Sequence, residues 1–280
     1  MKYLFYLSLC LFTFSVYGQT NDSFQKQKDS TSVWELLKYD AGATVRSVTH
    51  AYTSPLQWDK KDFKNLSVTA ISLFSLSLAD EEMNRFFQKE NNRYPQFAKD
   101  FGFRLGKPQV FFALNAGIYG YGLLTKNEAF RRTSVLIISS AITAGSIQAI
   151  SKTAFGRARP SSGLGYDHFN PFSKEAFEHS FPSGHTILSV TMAHAIAKQF
   201  DNIWLKLGIY SVGSITPITR LISGAHWLTD VTVGTVLSIV VVDYIDKFLS
   251  KKENYGYKKN KTISWNVSLS PNKIGLIGTF

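Results

Sequence analysis

Residues 133–160 read TSVLIISSAITAGSIQAISKTAFGRARP. Nineteen uncharged residues, 133–151, run directly into Lys152, Arg157, Arg159 and Pro160. A strand usually has about three to ten residues, so a run of this length predicts a helix. Its cations then collect where that helix ends, and Pro160 is expected to stop it. One Lys with two Arg makes a strong oxyanion clamp, because guanidinium binds in a planar, bidentate way and ammonium acts as a point charge. Cations also commonly flank apolar segments with no such role.

Working outward, residues 108–125 form a second uncharged run. Stretches 186–197, 207–219 and 231–242 are apolar and continue past Lys198, Lys206 and Asp243. The helical period predicts an all-α core, a bundle of about five to six helices over 108–248, expected to be membrane-embedded. Residues 65–79 are uncharged but short, and Asp80, Glu81 and Glu82 follow at once, so this stretch is not expected to span. Residues 19–107 as a whole read as an N-terminal extension with short amphipathic helices lying on a surface. Residues 249–280 read as a Lys-rich tail. Residues 262–280 alternate like strands, with Ser270-Pro271-Asn272-Lys273 as a turn, which predicts a hairpin.

Residues 1–18 fit a secretory signal: Lys2, then an apolar run, then Val16-Tyr17-Gly18 at the cleavage positions. Cys10 is the one cysteine, so cleavage would leave a chain incapable of disulfides or thiol chemistry. Lys and Arg total 31 against 20 acids, a formal charge of +11. That balance suits anionic partners such as phosphate esters and lipid head groups. No nucleic-acid module accompanies it, and much of the charge lies in the tail, so nucleic acid is not an expected partner. Hydrophobic residues make up 44% and the mean hydropathy is −0.06, which leaves both membrane and soluble classes open.

Two further clusters carry chemistry. Phe181-Pro182-Ser183-Gly184-His185-Thr186 opens an apolar helix. Ser183 can cap that helix, Gly184 lets backbone N–H groups approach an anion, and His185 stands ready to exchange a proton. Arg220-Leu221-Ile222-Ser223-Gly224-Ala225-His226-Trp227-Leu228-Thr229-Asp230 is the other. If Asp230 lies one helical turn beyond His226, it faces the imidazole and can fix its tautomer, leaving the second nitrogen as a nucleophile. Each cluster alone also reads as a capping turn or a surface ion pair.

Together, in this order, they resemble the signature of the type 2 phosphatidic acid phosphatase superfamily. The matching positions are Lys152, Arg159 and Pro160; Pro182, Ser183, Gly184 and His185; and Arg220, His226 and Asp230. Ten positions at about one in 20 each leave no room for coincidence. Thr219 stands where the family usually has Ser, and it keeps a hydroxyl.

The resemblance implies a phosphatase without metal or cofactor. His226 attacks phosphorus, Asp230 orients it, and His185 protonates the leaving group and later activates water. Lys152, Arg159 and Arg220, with Ser183 and Gly184, hold the phosphoryl oxygens. Of the other histidines, His194 is expected to make an inter-helix polar contact. His168 and His179 belong to a loop, 161–181, that could cover substrate.

Charge placement predicts orientation. Lys126, Arg131 and Arg132 between the first two long runs favour the cytoplasmic side. Five spans then put all three clusters outside, facing the periplasm, and the Lys-rich run inside. The leading expectation is therefore an envelope enzyme acting on a phosphorylated lipid: phosphatidate, phosphatidylglycerol phosphate, a polyprenyl diphosphate or lipid A. Alternatives are a soluble periplasmic acid phosphatase, a vanadate-dependent haloperoxidase sharing the anion pocket, and a non-catalytic lipid-binding protein.

Overall fold

The structure is a computed structural model that describes residues 32–255, 264–270 and 273–279. The expected signal at 1–18 lies outside the described residues. The described chain runs α1 (Val33–Thr53), α2 (Lys60–Ser77), α3 (Asp80–Glu90), α4 (Gln96–Leu105), α5 (Pro108–Leu124), α6 (Glu128–Phe155), α7 (Gly184–Ala197), α8 (Ile203–Ile222), α9 (Leu228–Leu249) and α10 (Lys252–Tyr255). Strands β1 (Ser264–Ser270) and β2 (Lys273–Thr279) pair antiparallel, with Ser270 opposite Lys273. The fold is all-α.

Local chemistry explains the helix ends. The Asn127 side chain accepts from the N–H groups of Ala129 and Phe130 and starts α6. Gly156, at φ +57°, ends it, with its N–H donating to the Lys152 carbonyl. Pro160 therefore does not stop this helix. Gly156 has already done so, and Pro160 opens a single 3-10 turn, Pro160–Ser162. Only Gly fits here for a second reason: a Cβ would lie 1.7 Å from the Asn170 carbonyl oxygen.

Helix α6 is the axis of the bundle. It packs against α1, α5, α7 and α9, while α7 is held between α8 and α9. Leu136, Ile137, Ala144, Ile187, Val242 and Ile245 form a dry centre, each 1% exposed or less. Small residues Ser139, Ser140 and Thr143 on α6, 2% exposed or less, let neighbouring helices approach closely.

Helix direction places every motif at one end. Helices α6 and α8 run toward that end, and α5, α7 and α9 run away from it. The far end is closed by Asp40 of α1, which accepts from Tyr119 and Arg131 at 3.0 Å each and from the Tyr255 hydroxyl. Asp80, at the start of α3, meets Thr229 at the start of α9. Between Asp40 and Asp80 the chain therefore passes from the far end to the motif end, and residues 65–79 lie on that path.

Candidate active site

Six of the eight candidate residues line one pocket of about 350 Å3: Lys152, Arg159, Gly184, His185, Arg220 and His226. Phe103, Gly106, Pro108, Gly145, Gln148, Ile187 and Leu188 complete its wall. Ser183 and Asp230 do not line it; both are fully buried behind it.

Each cation is positioned by an element end. Lys152 is in the last turn of α6. Beyond Gly156 the chain is extended and pairs with the 161–181 loop: Ala158 N–H donates to His168 O at 3.1 Å, and Arg159 N–H to Phe177 O at 2.8 Å. Arg159 is steadied by its Nε donating to Ala176 O at 3.2 Å. Arg220 is in the last turn of α8, 7% exposed, with its guanidinium 4.7 Å from the Phe103 ring centre. Its Nε is buried and has no hydrogen-bond partner within the protein, a donor free for an anion.

Ser183 precedes α7 but caps it differently from expectation. Its side chain accepts the Thr186 hydroxyl at 3.0 Å and makes no bond to a helix N–H, while its own N–H donates to the Asp230 carbonyl. His185 lies in the first turn of α7, stacked on Phe103 with ring centres 5.4 Å apart. Phe103 thus contacts both the His185 imidazole and the Arg220 guanidinium. It comes from α4, which sits close because Gly106 has no side chain: a Cβ there would lie 2.7 Å from that of His185.

His226 precedes α9, in the turn that Gly224 opens at φ +59°. It is 4% exposed. Its Nδ1 lies 2.7 Å from the Ser180 carbonyl oxygen, which can only accept, so Nδ1 carries the proton and Nε2 is the unprotonated nitrogen. The expected Asp230 partner is 3.7 Å from Nδ1, close enough for charge but not for a hydrogen bond. Asp230 is instead committed elsewhere: it accepts from Trp227 N–H at 2.8 Å, the Ser180 hydroxyl, and Arg157 Nη1 at 2.7 Å. Burial holds the His226 imidazole below its usual pKa range, against the opposing pull of Asp230.

Four contributors escaped sequence reasoning. Arg157, expected in the clamp beside Arg159, is instead 3% exposed and faces Asp230, Asp80 and Thr229. Asp80, Ser180 and Phe103 carry no local signal of such a role. The loop histidines lie elsewhere: His168 meets Glu178 at 3.2 Å and His179 meets Ser173 O at 2.9 Å. His194 bridges Tyr210 and Asp243 between helices. Among the described residues, no three His, Cys, Asp or Glu side chains converge to hold a metal.

The PAP2 superfamily model matches residues 133–252, which include all eight candidates. A lipid A 1-phosphatase of Porphyromonas gingivalis is 26% identical over 149 residues, 51% of this chain and 30% of that protein. A lipid A 1-phosphatase of Rhizobium etli is 31% identical over 100 residues, 35% of this chain and 42% of that protein. The chain thus spans less than half the length of either. An uncharacterized protein of Methanocaldococcus jannaschii is 26% identical over 207 residues, covering 71% of this chain and 81% of that one. The crystal structure of Aquifex aeolicus LpxE aligns at a TM-score of 0.45 and 21% identity, over 60% of this chain and 94% of its own. All three motifs lie inside the matched segment, so residues 133–252 of this chain are similar to the PAP2 superfamily.

Proposed function

We propose that this protein is a phosphoric ester hydrolase that removes phosphate from a membrane lipid through a phosphohistidine on His226. One observation carries the reading: His226 has Nδ1 committed to a backbone carbonyl in a pocket shared with Lys152, Arg159, Arg220 and His185. In the first step Nε2 forms a bond to phosphorus, the ester P–O bond breaks, and His185 gives its proton to the leaving oxygen. In the second, His185 takes a proton from water, the water oxygen attacks phosphorus, and the N–P bond breaks. The three cations and the Gly184 N–H neutralise charge on the phosphoryl oxygens, which is where an enzyme of this kind gains most.

A lipid substrate is supported by the apolar wall of Phe103, Pro108, Ile187 and Leu188, and by the lipid A 1-phosphatases among the relatives. Phosphatidate, phosphatidylglycerol phosphate, a polyprenyl diphosphate and a lipid A phosphate all fit that description. Membrane association is supported by α6 and α9, the two described helices long and apolar enough to cross a bilayer. Exposed Trp204, Leu207, Val212, Ile218, Ile239 and Val240 give α8 and α9 an apolar outer face. The cations at 126–132 favour a site facing the periplasm of a bacterial envelope.

A soluble phosphatase of broad specificity is the second reading, favoured by α7. Its 14 residues cover only about 21 Å, short of a hydrocarbon core of about 30 Å. Release of the protein from membranes by carbonate without detergent would select it.

The deciding experiment is phosphate release from a panel of the four lipids and p-nitrophenyl phosphate, wild type against His226→Ala. Release from at least one lipid, abolished in the variant and accompanied by an acid-labile phosphoenzyme in wild type, is expected. Undiminished release by His226→Ala would refute the mechanism.

A further inference from the structure

Behind the pocket lies a buried charge network that the motifs only half contain. Asp80 is 0% exposed. Its Oδ1 accepts the Thr229 N–H at 2.9 Å, and its Oδ2 accepts Arg157 Nη2 at 2.8 Å and the Thr229 hydroxyl. Arg157 spends its other nitrogen on Asp230 Oδ1 at 2.7 Å and on Thr229 Oγ1 at 2.7 Å. Two carboxylates therefore share one guanidinium, and all three groups are at least nine-tenths buried. Asp80 comes from α3, outside the matched segment 133–252.

Charge decides what such an arrangement can do. With both carboxylates ionised, the three groups sum to −1. Three cations share the pocket with His226: Lys152 on α6, Arg159 in the loop after it, and Arg220 on α8, with the His185 imidazole on α7. These suit the phosphate but oppose the positive charge that His226 gains as Nε2 bonds to phosphorus. Asp230 answers that charge directly. Paired with Arg157 alone, however, Asp230 would be neutralised; the second carboxylate restores the deficit of positive charge. In a medium of low dielectric that difference is felt over several ångströms.

We infer that Asp80 is a positioning residue for the reaction: through Arg157 and Thr229 it fixes Asp230 and keeps the ensemble behind His226 net negative during attack. The inference rests on the phosphohistidine reading. It also assigns the N-terminal helices a part in catalysis, since α3 brings the carboxylate and the Thr229 N–H it caps is in the first turn of α9.

The test compares wild type, Asp80→Asn, Asp80→Glu and His226→Ala on the most rapidly cleaved ester of the panel above. Asp80→Asn keeps the shape but replaces an acceptor with a donor facing Arg157. Its kcat is expected to fall roughly 10- to 100-fold, the scale on which outer hydrogen-bond partners of reacting groups act. KM should stay within about twofold, because the phosphate clamp is untouched. The acid limb of kcat/KM should move to lower pH, since His226 loses a negative neighbour. Asp80→Glu, which keeps the charge, should recover part of kcat and leave the limb near its wild-type position.

A kcat unchanged in Asp80→Asn, or a loss shared equally by the two variants with no movement of the limb, would assign Asp80 a purely structural role and overturn the inference. If Asp80→Asn does not fold, Asp80→Ser takes its place on the same readouts: a lowered kcat with the limb moved to lower pH supports the inference, and an unmoved limb overturns it. Activity retained by His226→Ala, or no release by wild type from any ester, would instead bring down the mechanism on which the inference stands.

Discussion

In the proposed mechanism, a main-chain atom prepares His226 for attack. The Ser180 carbonyl holds Nδ1–H at 2.7 Å, so the tautomer does not depend on a titrating partner. Burial disfavours the imidazolium, which places the folded pKa below the ordinary value of 6.5. The neutral nucleophile should therefore persist as pH falls through 6.5, and the acid limb of kcat/KM is expected below it. The same shift has a stability consequence of fixed sign. A group whose folded state prefers the neutral form contributes fully above its unfolded pKa and loses that contribution as pH falls toward the folded value. A limb at or above 6.5, seen in a pH–rate profile, would contradict this account. At Arg220, the unpartnered buried Nε predicts a direct role with phosphate. Arg220→Ala should lower kcat about 100- to 1,000-fold, as loss of one oxyanion donor does, in steady-state assays with the fold checked by circular dichroism.

Elements fit the site by close approach. Helix α4 reaches His185 and Thr216 only because Gly106 lacks a side chain; a Cβ would meet Thr216 Cγ2 at 2.6 Å. Gly106→Ala should cost about 1–3 kcal/mol by overpacking, read as a lower denaturant midpoint. Because Phe103 rides on the same helix, KM for lipid should rise with it. At the opposite end, Asp40 ties α1 to α5, α6 and α10. Asp40→Ala strands Arg131, which is 5% exposed, and is expected to cost about 3–5 kcal/mol in thermal or denaturant unfolding.

Over the whole molecule, chain direction puts Ser32 and Tyr255 together at the end away from the pocket. A bundle that crosses a bilayer would therefore place those residues on one side and the active site on the other. Cysteines placed at Ser161, beside Arg159, and at Lys252 test this in a Cys10→Ser background. In spheroplasts, an impermeant maleimide should label Ser161→Cys at once and Lys252→Cys only after lysis. Labelling of both before lysis would argue against the crossing.

The helical core and the three clusters were legible in the linear chain because their information is local. An uncharged run of 19 residues has few foldings, and Lys152 to Arg159, or His226 to Asp230, are separations a single turn or helix end can bridge. What those residues bond to was not legible. Arg157 looked like part of the clamp beside Arg159, and Asp230 like the partner of His226 Nδ1. The structure turns Arg157 inward and gives Nδ1 to a carbonyl. Asp80 meets Thr229 across 149 positions, and no local pattern marks it. A buried charge needs a partner, but which one it finds depends on which helix ends meet, and only the packed bundle decides that. The sequence by itself thus determined the all-α class and the candidate residues that the three motifs carry. Tertiary structure alone decided the proton on His226, the anchoring of Asp230, and the share that α3 and α4 have in the site.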